Sequence, residues 1–137
     1  MMDSARKLRV KNKTRGTMVA TEADLADSSK KRRVGLLKHE RLEAGQGLWI
    51  WPCEAIHTFG MRFPIDVLFL DRKKKVLKVK SDMVRGRISA CFWAHSVLEL
   101  PAGQAAAART EAGDQLEFEE WTEPSPPTHN GAAEQDS

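Results

Sequence analysis

The chain has 137 residues and a formal net charge of +3 at pH 7, with 41% hydrophobic, 30% charged and 7% aromatic residues, which suits one globular domain rather than two. Cys53 and Cys91 are its two cysteines, too few for a disulfide-stapled miniprotein, so free thiols in a reducing compartment are expected. No run approaches the roughly 18 apolar residues of a membrane helix, and the opening Met1 to Lys7 lacks the apolar stretch of a secretory signal, so a cytoplasmic location away from membranes is expected.

In chain order, residues 1–5 carry too little apolar surface to oppose the entropy of ordering, and a disordered N-terminus is expected. Strands are predicted over Lys7 to Lys11 and Thr17 to Glu22. A helix follows near residues 29–40, with Ser28 or Ser29 as N-cap, a stripe of Val34, Leu36 and Leu37, and Gly45 beyond its end. Gly47 to Trp51 reads as the next strand. In the run Phe63 to Asp71, the side chains of Ile65, Val67 and Phe69 share one face, as expected of a largely buried strand. Asp71-Arg72-Lys73-Lys74-Lys75 then turns the chain into Val76 to Lys80, with Leu77 and Val79 inward and the lysines toward water.

Further strands are predicted at Val97 to Leu100 and Gln115 to Glu119, with a short helical turn over Gln104 to Arg109 between them. From residue 122 the chain is rich in Pro, Ser, Thr and Glu and reads as a disordered acidic tail, leaving 6–121 as one domain, expected to be monomeric. Seven short strands separated by Gly, Pro and Asp predict a mainly β fold. Its expected form is a small jelly-roll-like sandwich or distorted barrel with one clear helix.

Charge is distributed unevenly. Residues 1–90 hold 21 Lys and Arg against 10 Asp and Glu, while residues 91–137 hold 1 against 9. The runs Lys30-Lys31-Arg32-Arg33 and Arg72-Lys73-Lys74-Lys75 could face phosphates. No helix-turn-helix pattern, zinc-finger spacing or RNA-binding aromatic signature accompanies them, so nonspecific nucleic-acid binding stands as the weakest functional reading. Solvated basic faces partly neutralised by the acidic C-terminal third are the expectation.

Three segments carry a resemblance to a known family: Arg33-Val34-Gly35-Leu36-Leu37, the block from Pro52 to Asp71 centred on Gly60-Met61-Arg62-Phe63-Pro64-Ile65-Asp66, and Val97 to Gly103 with Gly113-Asp114 after it. Together, over roughly Thr17 to Phe118, they resemble the domain-of-unknown-function 192 family. The resemblance implies a small, mainly β domain of jelly-roll or distorted-barrel kind and no established activity. It also implies that His57 is not universal, since many members place a Trp-Met-Lys-Asn type sequence where this chain has Ile56-His57-Thr58-Phe59.

Several constellations could carry chemistry. Cys53 with His57 and Cys91 with His95 are two Cys-x-x-x-His pairs that could supply four zinc ligands, but zinc knuckles favour tighter spacing, and neither metal nor cofactor is expected. Cys53, His57 and Asp66 could act as nucleophile, base and orienter, which defines the alternative of a small Cys- or carboxylate-dependent hydrolase. Asp66 and Glu99 each sit inside an apolar strand and need partners. If they face one pocket they form a proton-transfer or glycoside-cleaving pair; otherwise Asp66 accepts backbone N–H groups and Glu99 pairs with Arg62 or another base. Trp49, Trp51, Trp93, Phe59 and Phe63 could wall a pocket. The irregular segment from Cys53 to Arg62 suits a loop over a site, so Cys53, His57, Thr58, Met61, Asp66 and Glu99 are the candidate ligand-binding residues. The leading expectation is a module that binds an unknown small molecule or a partner's loop.

Overall fold

The computed structural model describes residues 6–26 and 42–122. Among the described residues nine strands run in the order β1 (Arg6–Asn12), β2 (Thr17–Ala26), β3 (Gln46–Ile50), β4 (Ala55–His57), β5 (Ile65–Leu70), β6 (Val76–Met83), β7 (Ile88–Ala90), β8 (Ser96–Pro101) and β9 (Leu116–Thr122), with the short helix α1 (Gln104–Ala107) before β9. Seven of them form one sheet in the order β6-β5-β8-β3-β2-β1-β9, while β4 and β7 pair as a separate ribbon. Neighbours in the large sheet are antiparallel except β2 and β3. Among the described residues no helix is long and apolar enough to cross a membrane.

The sheet curls because its two edges meet at one end. Lys75, just before β6, bridges Gln115, just before β9. Val76 N–H donates to the Asp114 carbonyl at 2.8 Å and Leu116 N–H to the Lys74 carbonyl at 3.0 Å, so polar groups that an open edge would leave bare are paired. The result is a half-barrel that fits the distorted barrel expected of the sequence.

Alternation along the strands supplies two apolar layers. On the concave face Leu68 and Leu70 of β5 and Leu98 and Leu100 of β8 pack with Leu8, Val10, Val19 and Leu116. On the other face Ile65, Val67 and Phe69 pack with Leu48, Ile50, Val97 and Met83, and the β4–β7 ribbon adds Ile56. All six residues of β5 are buried, as the run of β-branched and aromatic residues predicts.

The β5–β6 hairpin is fastened by its first turn residue. Asp71 Oδ1 accepts the N–H groups of Lys73 at 2.8 Å and Lys75 at 2.9 Å, and Lys74 takes a left-handed φ of 70°. Its lysines do not all point to water as expected. Lys78 Nζ donates to the Ala90 carbonyl at 2.9 Å and lies 5.5 Å from the Phe69 ring centre, because the β4–β7 ribbon covers that face.

The short helical turn predicted after Val97–Leu100 is present as α1. The helix expected near residues 29–40 lies outside the described residues. So do both terminal segments expected to be disordered, except for Thr122, which ends β9 opposite Arg6. Strands β4 and β7 have no counterpart in the sequence-based assignment; at three residues each they are too short to show a period.

A buried polar clip ties the β1–β2 turn to the segment before β9. Asp114 Oδ2 accepts hydrogen bonds from Arg15 Nε at 3.0 Å, Asn12 Nδ2 at 3.0 Å and the Glu111 N–H at 2.9 Å. Burial raises the carboxyl's pKa, but those hydrogen bonds and the Arg15 charge outweigh it and hold the group below its ordinary value of 3.8. The stabilisation is therefore present above the unfolded-state value and is lost as pH falls through the depressed one. Replacing Asp114 by Ala should cost about 2 kcal/mol or more in chemical denaturation, since Asn12 and the Glu111 amide lose an acceptor. The stability gap between wild type and Asp114→Asn should be full at neutral pH and narrow in acid, below 3.8.

Candidate functional site

The segment after β4 turns on Thr58, whose side chain is buried. Its hydroxyl donates to the Val84 carbonyl at 2.6 Å and accepts the Arg87 N–H at 2.8 Å, and its own N–H donates to the Arg87 carbonyl at 2.9 Å. Thr58 thus joins two turns and has its hydrogen bonds committed to backbone. His57 is exposed, stacks on Phe59 with ring centres 4.9 Å apart, and accepts the Phe59 N–H on Nδ1 at 3.3 Å. Met61 is buried and, with Phe63, Pro64, Val84 and Arg85, lines a shallow cavity of about 290 Å³.

Asp66 and Glu99 do not form a carboxylate pair. In the β5–β8 ladder Val67 lies opposite Glu99 and Asp66 opposite Leu100, so the two acids project from opposite faces of the sheet. Asp66 faces α1 and accepts three backbone N–H groups: Asp82 at 2.8 Å on Oδ1, and Gly103 at 3.0 Å and Ala105 at 2.9 Å on Oδ2. Asp66 thus faces α1, on the side of the sheet away from the β4–β7 ribbon that carries His57, and Cys53, His57 and Asp66 are not brought together as a triad. Asp66 takes the structural role the sequence favoured for it, though its donors come from β6 and the start of α1 rather than from the turn after Pro64.

Glu99 points the other way, between Leu48 of β3 and Val67 of β5, and is only 7% exposed. Among the described residues no hydrogen bond or ion pair reaches its carboxyl, so the expected pairing with Arg62 is not made. Burial with no compensating charge pushes its pKa up to about 7.

A larger cavity, of about 490 Å³, opens where the chain enters β4 and leaves β7. Cys53, Glu54, Arg72, Phe92, Trp93 and His95 are on its wall. The two connections are laced together: Cys53 N–H donates to the His95 carbonyl at 2.9 Å and Cys91 N–H to the Glu54 carbonyl at 2.8 Å. His95 N–H also reaches the Leu70 carbonyl at 2.8 Å, which sets the cavity against the end of β5 and the Asp71–Lys75 turn. Phe92 and Trp93 project with 78% and 85% of their surface exposed. The His95 Nδ1 is buried without a partner, and burial, then the charges of Arg72 and Lys74, lower the pKa of its imidazole. Cys53 Sγ donates to the Ala55 carbonyl at 3.2 Å.

Of the six sequence candidates, Cys53 alone is on this wall. Trp93, expected on a pocket wall, is on it too. Glu54, Arg72, Phe92 and His95 were not among the pocket candidates, although Phe92 and Trp93 together carried a signal: two large aromatics in a short connection between strands, with no apolar period to bury them. Trp49 and Trp51 were expected on a pocket wall. Trp49 instead stacks on Trp51 at 4.9 Å, touches Phe118 at 4.8 Å and packs against the concave core. Among the described residues no group of three or more His, Cys, Asp or Glu side chains is placed to hold a metal.

The chain matches the sequence profile of the domain-of-unknown-function 192 family, described as an uncharacterised ACR, over residues 10–118. The chain belongs to this family. No curated protein matches it significantly. Two crystal structures resemble it in fold. One is a protein of Sinorhizobium meliloti 1021 proposed to be a transcription regulator, with 21% identity and a TM-score of 0.74 over 86% of this chain and 97% of the other. The second is a protein of unknown function from Novosphingobium aromaticivorans DSM 12444, with 19% identity and a TM-score of 0.70 over 81% of this chain and 83% of the other.

Glu99 makes stability depend on pH in a stated direction. Its folded pKa of about 7 lies above the ordinary 4.5, so the folded state holds a proton that the unfolded chain releases, and stability falls as pH rises from 4.5 through 7. The loss is ~3 kcal/mol at high pH for a pKa raised from 4.5 to about 7. Glu99→Gln should flatten the fall in melting temperature between mildly acidic and mildly alkaline buffers. An unchanged pH profile in the variant would show that Glu99 is not its source.

Proposed function

We propose that this protein is a small-molecule binding module whose site is the cavity between the β3–β4 and β7–β8 connections. The observation that carries this is the exposure of Phe92 and Trp93 on the rim of a roughly 490 Å³ hollow that also holds a guanidinium and an imidazole. A volume of that size falls in the range of small-ligand sites, and a few polar groups among aromatic walls are what such sites use to orient a ligand. Exposing two large aromatics costs solvation that a monomer's stability does not require, which favours a role in recognition.

Binding is favoured over hydrolysis. A thiol nucleophile needs its thiolate form, whereas the Cys53 thiol serves as a donor to the Ala55 carbonyl. Cys53 and Cys91 are not joined in a disulfide, which fits a reducing compartment and supports a cytoplasmic location.

Titration of isotope-labelled protein with a fragment collection tests the site. Amide shifts should cluster at residues 52–54, 72 and 92–95. Shifts confined to the smaller hollow around Met61 and Arg85, or none with any fragment, would refute the assignment.

A further inference from the structure

We infer that the ligand is a planar aromatic molecule bearing one anionic group, a carboxylate or a phosphate, with the anion held by Arg72 and the ring packed on Trp93 and Phe92. This rests on the proposed cavity and adds the chemistry that would fill it.

Arg72 is exposed on the cavity wall, and among the described residues no carboxylate forms an ion pair with it. The acid beside it in sequence is otherwise engaged, because Asp71 Oδ1 accepts the Lys73 and Lys75 amides of the turn. The planar guanidinium fork is thus left to an external acceptor, and it matches a carboxylate or phosphate with two parallel hydrogen bonds.

The field at the His95 end has the same sign. After burial, the charges of Arg72 and Lys74 lower the pKa of that imidazole, and Glu54 is the one acid on the same wall. A neutral imidazole keeps one donor and one acceptor, so His95 adds a hydrogen bond without adding charge. Lys74 stays at its post, with Nζ 5.0 Å from the Trp49 ring centre and 5.5 Å from that of Phe118.

Phe92 and Trp93 supply flat apolar area beside this donor set, which selects an aromatic ring over an aliphatic chain. Glu54 on the same wall opposes a polyanion and limits the ligand to a small charge. A nucleic-acid strand, which would place successive phosphates along the surface, is therefore disfavoured.

The test is calorimetric titration of the full chain with indole-3-acetate and AMP as aromatic anions from the two sources. Tryptamine, acetate, inorganic phosphate and a ten-nucleotide oligothymidylate serve as comparisons. At least one aromatic anion should bind more tightly than tryptamine, acetate and phosphate, and which one binds distinguishes carboxylate from phosphate. Arg72→Gln should weaken it about tenfold, and Trp93→Ala should weaken it by a similar factor. Arg72→Lys, which keeps the charge and loses the fork, should fall between wild type and Arg72→Gln.

Tryptamine binding as tightly as the anions would overturn the inference while leaving the cavity as the site. Preferential binding of the oligonucleotide would overturn it in favour of a strand-binding surface. Failure of both aromatic anions to bind would overturn it too, and shifts at residues 92–95 with other fragments would then still support the site.

Discussion

The Asp66 carboxylate is the point on which the rest of the arrangement depends. The β5–β6 register slips between Val67–Lys80 and Ile65–Met83, and the slip places Asp82 at a left-handed φ of 54° with its N–H turned out of the ladder. Asp66 Oδ1 takes that N–H, while Oδ2 takes those of Gly103 and Ala105 at the start of α1, which has no side-chain cap of its own. One buried acid thus satisfies donors from an irregular strand and a helix end, among them the buried Ala105 amide. It also fixes β5, whose last carbonyl at Leu70 receives the His95 amide and so sets the wall of the cavity.

The strand framework was legible because its code is local. The alternation of Ile65, Val67 and Phe69 and the hairpin turn at 71–75, opened by Asp71, each specify a face or a reversal within a few residues. The closure of the sheet was not legible, because Lys75 and Gln115 meet through backbone bonds forty residues apart in sequence and no side-chain pattern encodes them. The same limit applied to the two acids. Both sit in apolar strands, and only the pairing of Val67 with Glu99 reveals that they face opposite ways. The cavity at Cys53 was hidden for a related reason: the residues that line it with Cys53 come from 72 and 92–95, joined to it by tertiary hydrogen bonds.

The charge asymmetry resolves in a similar way. Basic residues of the N-terminal part meet acids of the C-terminal part, with Lys11 at 3.6 Å from Glu119 and Arg15 at 3.0 Å from both Glu111 and Asp114. The Arg72–Lys75 run divides its work among a cavity wall, two turn amides and a cation over Trp49 and Phe118.

Stability and the proposed recognition are therefore assigned to different residues: Asp66 holds the fold, and the exposed aromatic rim is the surface proposed to receive a ligand. Denaturant unfolding of Asp66→Ala beside Trp93→Ala tests this division most directly. Asp66→Ala should lose on the order of 3 kcal/mol or more, because the buried Ala105 amide and the part-buried Asp82 and Gly103 amides lose their acceptor, and Trp93→Ala should stay within about 0.5 kcal/mol of wild type. A Trp93→Ala variant as unstable as Asp66→Ala, or an Asp66→Ala variant of undiminished stability, would contradict it.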